Sequence, residues 1–129
     1  MTFQLKPASE STVLSWILSA LGRKNAQGAI EGQYGLFWRN NSGAMKVGAR
    51  FIRYGLVGSP DVIGIVNGQF VGLEVKREDG KQSEHQQEFE RLARKYGGRY
   101  AVVRSVREAI DSVAKWQMEA QKCNRLKTD

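Results

Sequence analysis

Residues 61–76 read DVIGIVNGQFVGLEVK, which is two short apolar runs joined by an Asn-Gly pair. Val62–Val66 and Phe70–Val75 are rich in β-branched residues, which favour strands. Asn-Gly is the preferred pair for a two-residue type I′ turn, so Asn67 and Gly68 predict a tight antiparallel hairpin. A turn of this length also sets which residues of the two strands face each other.

The predicted register brings two carboxylates together. It pairs Val62 with Leu73 and, one step further, places Asp61 directly opposite Glu74. Directly opposed side chains project from the same face of a sheet, with Cβ atoms about 4.5–5.5 Å apart. Lys76 is two residues beyond Glu74 and is therefore expected on that face too.

Two explanations of this trio remain open from the residues alone. Opposed carboxylates repel each other, so a fold tolerates Asp61 opposite Glu74 when a cation lies between them. Oxygen ligands at this separation suit a hard divalent ion such as Mg²⁺ or Mn²⁺, which also binds phosphate. The alternative is a salt-bridged cluster of Asp61, Lys76 and Glu74 at the edge of a sheet.

The rest of the chain alternates between helical and extended patterns. Three helices are predicted, each after a serine that can cap its first turn: residues 10–21 after Ser9, 84–96 after Ser83, and a last helix after Ser105. Three further segments have the residue preferences of strands: 34–40, 46–54 (after a turn at 40–43) and 100–104. The order is therefore α-β-β-β-β-α-β-α, an α/β fold with a mixed sheet flanked by helices.

Length and composition indicate one domain. The chain has 129 residues, of which 41% are hydrophobic and 26% charged, as is typical of a globular protein. Domains commonly have about 100–150 residues, so we predict a single domain over residues 1–129. Its core is expected at about residues 9–116, between an N-terminal arm (1–8) and a polar C-terminal tail (118–129).

The scarcity of cysteine and histidine excludes several kinds of functional site, and the lack of long apolar stretches argues against a membrane location. Cys123 is the only cysteine and His85 the only histidine. This rules out an internal disulfide, a multi-cysteine metal site and chemistry that needs several histidines. No apolar stretch approaches the ~20 residues of a membrane span, and no signal peptide opens the chain. We therefore expect a cytoplasmic protein without a membrane partner.

The basic residues are concentrated in the first half. The formal net charge is +7, and residues 32–60 contain no aspartate or glutamate. The same stretch carries four cations: Arg39, Lys46, Arg50 and Arg53. A one-sign basic stretch interleaved with aromatic residues favours a polyanion, most often nucleic acid, and these cations are the candidate phosphate contacts. The alternative is a basic hairpin whose aromatic residues face a core.

At this point the chain resembles a known nuclease family. Ser59-Pro60-Asp61 followed by Glu74-Val75-Lys76 matches the PD-(D/E)XK signature. More narrowly, the chain resembles the VRR-NUC family, virus-type replication-repair nucleases often encoded by phages. The similar pieces span residues 9–112: Ser9-Glu10, residues 39–44, residues 58–64, residues 74–77, Ser83 with Gln86, and Gly97-Gly98. Ser42, within the second piece, joins the predicted DNA-binding residues.

The resemblance implies a restriction-endonuclease-like core that cleaves DNA with Mg²⁺ or Mn²⁺. By this similarity Asp61 and Glu74 ligate the metal, and the backbone carbonyl of Val75 is a third ligand. Glu10, from the first helix, completes the acidic site. Without the resemblance, Glu10 would be explained as a first-turn carboxylate stabilised by the helix dipole.

The resemblance also assigns roles to Lys76 and Gln86. Lys76 would position the attacking water, and Gln86 would hold that water or Lys76 itself. Taken alone, Gln86 is explained equally well as a solvated helix residue. The chain departs from the family at Glu84-His85, where a proline or another small residue is usual, and this places His85 near the expected cleft.

The sequence thus predicts a metal-dependent DNA endonuclease, selective for four-way junctions or other branched DNA. A homodimer is expected, because symmetric cleavage of two strands needs two sites related by a two-fold axis. No small-molecule cofactor is expected, and the cytoplasm would be that of a bacterial or phage-infected cell. The open alternatives are a monomeric nickase, a less selective nuclease, a ribonuclease with the same site, and a non-catalytic DNA-binding protein.

Overall fold

Three helices and six strands make up the part of the chain that the computed structural model describes, residues 8–22, 25–29 and 34–128. In chain order they are α1 (Glu10–Leu21), β1 (Leu36–Arg39), β2 (Gly43–Val47), β3 (Arg50–Tyr54), β4 (Val62–Val66), β5 (Gln69–Val75), α2 (Glu84–Lys95), β6 (Arg99–Val103) and α3 (Val106–Thr128). The predicted α/β class, a mixed sheet flanked by helices, is confirmed.

The main sheet has four strands in the order β1-β4-β5-β6. β4 runs antiparallel to both of its neighbours, β1 and β5, whereas β6 runs parallel to β5. The β4–β5 hairpin therefore occupies the centre of the sheet. Asp61 and Glu74 lie at one end of these central strands, not on an edge strand.

The β4–β5 hairpin has the predicted register. Its pairs run from Val66 opposite Gln69 to Val62 opposite Leu73. Asn67 has a φ of 49° and Gly68 a φ of 79°, the positive values that both central residues of a type I′ turn require. The local turn thus aligns the two strands as the sequence predicts.

One face of the main sheet is buried under α1 and α3. Along β5, the side chains of Val71, Leu73 and Val75 point to this face and are fully buried. Both helices contribute apolar side chains at helical spacing: Leu14, Ile17, Leu18 and Leu21 from α1, and Ala109, Val113 and Trp116 from α3. Removal of this apolar surface from water stabilises the sheet.

The other face of the sheet carries α2. The Phe89 ring of α2 lies 6.5 Å from the Phe70 ring and 6.2 Å from the Tyr100 ring, measured between centroids. Successive strand residues point to opposite faces, so Glu74 shares this face with Phe70 and Gly72. The helix thereby covers the face from which the Glu74 carboxyl projects.

The predicted single strand at residues 46–54 is wrong, because it is part of a second hairpin. β2 and β3 form a separate two-stranded antiparallel sheet that turns at Gly48 and Ala49. Gly48 has a φ of 62°, as the first central residue of a type II′ turn requires. Five β-strands, and not the predicted four, therefore precede α2. β1 does not pair with β2, which follows it in the chain, but with the more distant β4.

The last helix is longer than predicted. α3 continues to Thr128, so residues 118–128 are helical and do not form the expected polar tail. Residues 106–128 contain no glycine or proline and many strong helix formers, which explains the extension. Within the described residues, none of the helices combines the length and apolar character needed to cross a membrane.

Candidate active site

Asp61 is held at the start of β4 by backbone contacts on both sides. Its carbonyl oxygen accepts a hydrogen bond from the Asn40 N–H at 2.8 Å. Its Oδ2 atom accepts one from the Val75 N–H at 2.9 Å. The Asn40 side chain donates to Ser59 Oγ at 2.7 Å and to the Pro60 carbonyl at 3.0 Å. The loop before β4 therefore presents Asp61 in a defined position beside the end of β5.

Glu74 is a buried carboxyl group next to Asp61. It is 2% exposed, and its Oε2 atom has no hydrogen-bond partner among the described residues. Burial raises the pKa of Glu74 to about 9, with further increases from its hydrogen bond to Asp61 and from the charges of Asp61 and Glu10. At neutral pH this raised pKa favours the protonated form of Glu74.

Lys76 lies next to this pair, as predicted. Its backbone N–H donates to the Val103 carbonyl at 3.0 Å, which extends the pairing of β5 with β6. Its ammonium group is close enough to Glu74 to oppose the rise of the glutamate pKa. The half-buried Lys76 side chain therefore supplies a positive charge near Glu74.

Glu10 reaches the same region from the first turn of α1. Its Oε1 atom accepts a hydrogen bond from the Arg77 N–H at 3.3 Å. Glu10, Arg39, Asp61 and Arg77 line a cavity of about 450 Å³. The structure thus brings four of the predicted site residues, Glu10, Arg39, Asp61 and Val75, to one cavity.

The carboxyl groups do not converge on a single point. Among residues 8–22, 25–29 and 34–128, no group of three or more His, Cys, Asp or Glu side chains is placed to hold a metal ion. Glu10 is directed at Arg77, whereas Asp61 and Glu74 contact each other. The site therefore consists of two neighbouring carboxyl groups, those of Asp61 and Glu74. The Val75 N–H is bonded to Asp61, and Glu10 lies nearby.

Gln86 has a structural role that explains its position. Its Oε1 atom accepts a hydrogen bond from the Ser83 N–H at 2.8 Å, and Ser83 Oγ accepts one from the Gln86 N–H at 3.2 Å. These reciprocal bonds form a capping box at the start of α2. Gln86 does not line the cavity at Asp61.

The start of α2 lies against the loop that leads to Asp61. A Cβ atom added at Gly58 would be 2.2 Å from the His85 carbonyl oxygen, so only glycine permits this approach. His85 is exposed and lines a second cavity, of about 330 Å³, together with Ser42, Arg53 and Gly58. Neither His85 nor Ser42 lines the cavity at Asp61.

The residues predicted to contact phosphate lie in two separate parts of the structure. Arg39, at the end of β1, lines the cavity at Asp61. Lys46, Arg50 and Arg53 lie on the β2–β3 hairpin, where all three are exposed. The four cations form one basic stretch in the sequence, but the structure separates Arg39 from the other three.

Sequence reasoning missed two residues that shape the site. Tyr100 is paired with Gly72 across the parallel strands and is 1% exposed. Burial raises the pKa of the Tyr100 hydroxyl, and the charges of Glu74 and Asp61 add to that effect. Arg104 donates from Nη1 to the carbonyls of Arg77, Glu78 and Gly80, and so orders the loop after Lys76. Only the pairing of β6 with β5 reveals these neighbours.

Arg39, Asp61 and Arg77 can therefore contact a ligand in the cavity at Asp61, whereas Lys76 and Glu74, which is 2% exposed, do not line it. Comparison with known proteins finds no match for this chain among family models, curated proteins or solved structures. The chemistry of the site has to be inferred from the described contacts. A buried acid with a strongly raised pKa beside a second carboxylate is a common feature of functional sites.

Proposed function

We propose that the protein is an endonuclease that hydrolyses phosphodiester bonds in DNA, with Asp61 and Glu74 as ligands of Mg²⁺ or Mn²⁺. The observation that carries the proposal is the Asp61–Glu74 pair at the centre of the main sheet. A buried carboxyl whose Oε2 atom has no partner is costly for the fold. A divalent cation beside it would remove that cost.

The donors fit such a cation in kind. Asp61 and Glu74 supply only oxygen, the ligand type that Mg²⁺ and Mn²⁺ prefer. In this proposal the Val75 carbonyl and Glu10 would be further ligands, which would require Glu10 to give up its bond with the Arg77 N–H. The bound ion would supply a Lewis acid for the negative charge that develops on the phosphate during hydrolysis.

The remaining residues act on the substrate and on water. Lys76 holds the attacking water or a phosphate oxygen, and Arg39 and Arg77 neutralise phosphates that enter the cavity. Gln86 positions the water or Lys76, and it does so through its amide nitrogen because its Oε1 atom is bonded to Ser83.

The proposed fold family is a restriction-endonuclease-like core of the VRR-NUC type. Support comes from a mixed sheet whose central strands carry Asp61, Glu74 and Lys76 at one end. We further propose a homodimer that acts on branched DNA, in the cytoplasm of a bacterial or phage-infected cell. Two copies of the protein would place one active site at each of the two DNA strands.

A non-catalytic DNA-binding protein is the second candidate. It is favoured by one observation, the exposed basic β2–β3 hairpin, whose cations Lys46 and Arg50 do not line the cavity at Asp61. Such a protein would bind DNA without any need for a carboxyl pair. The buried Glu74 then has no function that offsets its cost, which is why catalysis is preferred.

Cleavage of matched labelled substrates tests the proposal. A four-way junction, a flap, a linear duplex, a single strand and an RNA duplex are incubated with Mg²⁺, Mn²⁺ or EDTA. Wild-type protein should cut branched DNA only with metal, whereas Glu74→Gln should not cut. Glutamine resembles the protonated Glu74 of the metal-free protein, so this variant should fold normally.

The surface variant Glu88→Gln is the matched control and should cut like the wild type. Cleavage in EDTA, or cleavage by Glu74→Gln at the wild-type rate, would contradict the proposed mechanism. Well-folded wild-type protein that binds DNA but cuts none of the substrates would support the second candidate. Cleavage confined to the RNA duplex would assign the same site to a ribonuclease.

A further inference from the structure

The register of the β2–β3 hairpin divides its side chains between two faces. Lys46 is directly opposite Phe51, and Ala44 is directly opposite Arg53. Directly opposed residues share a face, and so do residues two apart along a strand. Lys46, Phe51 and Arg53 therefore project together, and we call this set the Phe51 face.

The opposite face of the hairpin has a different character. It carries Met45 opposite Ile52 and Val47 opposite Arg50. Three of these four side chains are apolar, and all are exposed. Arg50, which belongs to the same basic stretch of sequence as Lys46 and Arg53, thus points away from them.

The Phe51 face combines an aromatic ring with two cations. Phe51 is 76% exposed, so its ring is available to a partner. Lys46 lies across the hairpin from it and Arg53 lies two residues along the same strand. Proteins that bind single-stranded nucleic acid use this combination, in which bases stack on aromatic rings and cations contact the backbone.

One end of the Phe51 face opens onto a groove that suits an anion. The 330 Å³ cavity is bounded by Arg53 and Ala44 on the hairpin and by Gly58 and His85 opposite. No aspartate or glutamate lines it, in contrast to the cavities that contain Glu10. This cavity therefore presents no carboxylate to a polyanion on the Phe51 face.

We propose that the Phe51 face binds an unpaired segment of DNA. Phe51 stacks on a base, while Lys46 and Arg53 contact the phosphates on either side of it. Arg50 takes no part, because it lies on the other face. This inference rests on the proposed function in one respect, that DNA is the substrate, and it adds which structural feature of the DNA the hairpin recognises.

DNA binding in EDTA tests the inference without cleavage. The probes are a blunt linear duplex and the same duplex with a single-stranded arm, followed by fluorescence anisotropy. Phe51→Ala should weaken binding of the armed duplex by about tenfold, the usual loss when one base–aromatic stack is removed. Binding of the blunt duplex should change by less than about twofold. Phe51→Trp should restore binding of the armed duplex.

Ile52→Ala is the matched control, because Ile52 is an exposed apolar residue on the opposite face. It should leave both affinities unchanged. Lys46→Ala and Arg53→Ala should each lower the magnitude of the slope of log affinity against log salt concentration by about one, as expected for the loss of one phosphate contact. Arg50→Ala should leave that slope unchanged. Circular dichroism would confirm that every variant is folded.

Several results would overturn the inference. Equal weakening of both duplexes by Phe51→Ala, no weakening, or no DNA binding by the wild type would each exclude stacking on an unpaired base. Dissociation of a wild-type dimer by Phe51→Ala, measured by sedimentation, would instead make this face an interface between copies. Metal-dependent cleavage is measured separately, so protein that binds as expected but does not cut contradicts only the proposed function.

Discussion

The Oδ2 atom of Asp61 accepts a hydrogen bond from the Val75 N–H at 2.9 Å, which links the residue before β4 to the last residue of β5. This bond holds one carboxylate at the end of the central hairpin. Glu74 is the residue before Val75, so the same contact places the second carboxyl beside the first. The pair is thus a product of the hairpin register and of one side-chain bond.

Two substitutions at Asp61 should separate its structural and ligand roles. Asparagine keeps an oxygen for the Val75 N–H, so Asp61→Asn should change the free energy of unfolding little. Asp61→Ala leaves the Val75 N–H without its partner and should cost about 1–3 kcal/mol. Both variants should lose Mg²⁺ binding in calorimetry. Metal binding by Asp61→Asn at wild-type affinity would show that the aspartate is not a ligand.

The stability of the metal-free protein should fall as pH rises from about 5 to about 9. The native pKa of Glu74 is about 9 and its ordinary value is 4.5. Within that window the native state holds a proton that the unfolded state has released, so the free energy of unfolding decreases with pH. Urea denaturation in EDTA at several pH values measures this, with an expected loss of several kcal/mol.

Glu74→Gln provides the control for that pH dependence, because glutamine does not titrate. The difference in stability between wild type and Glu74→Gln should grow in favour of the variant as pH increases. A difference that stays constant from pH 5 to pH 9 would mean that Glu74 has an ordinary pKa in the folded protein.

Metal binding should release a proton from Glu74. A ligand carboxylate must be deprotonated, and Glu74 carries a proton at neutral pH because its pKa is about 9. Mg²⁺ affinity should therefore increase by up to about tenfold per pH unit below pH 9. Calorimetry in two buffers with different ionisation enthalpies should report about one proton released per ion. Binding without proton release would exclude Glu74 as the ligand.

Gly58→Ala should destabilise the contact between α2 and the loop before Asp61. The added methyl group would lie 2.2 Å from the His85 carbonyl oxygen, and the φ of Gly58 is +82°. Gly97→Ala is a matched control, because Gly97 has a φ of +88° but open space around it. Urea denaturation should show a larger loss for Gly58→Ala, by about 1–3 kcal/mol. Equal losses would show that the backbone angle alone matters.

Substitutions of Gln86 should distinguish its capping bond from a role in cleavage. Gln86→Ala removes the side chain that bonds the Ser83 N–H and should cost about 1 kcal/mol. Gln86→Glu keeps a capping oxygen but has no amide nitrogen, so it should retain stability and lose cleavage. Cleavage of DNA by the Gln86→Glu variant at the wild-type rate would show that Gln86 has only a structural role.

The local elements follow from the sequence because their causes are local. Asn67 and Gly68 determine the turn, and the turn length determines that Val62 faces Leu73. Ser9 caps α1 through the Thr12 N–H at 3.2 Å, and Gly22 follows its last residue, as predicted. Each of these features involves residues a few positions apart, so residue preference and spacing are sufficient to predict them.

The features that join residues far apart in the sequence could be seen only in the folded structure. The segment at 46–54 has the residue types of one strand, and only the positive φ at Gly48 and its own pairing make it a hairpin. The bond between Glu10 and the Arg77 N–H spans 67 positions, and no spacing rule connects such residues. Burial of Glu74 likewise depends on which strands and helices surround it. Sequence chemistry thus places two carboxylates side by side, whereas packing of distant elements gives one of them its raised pKa.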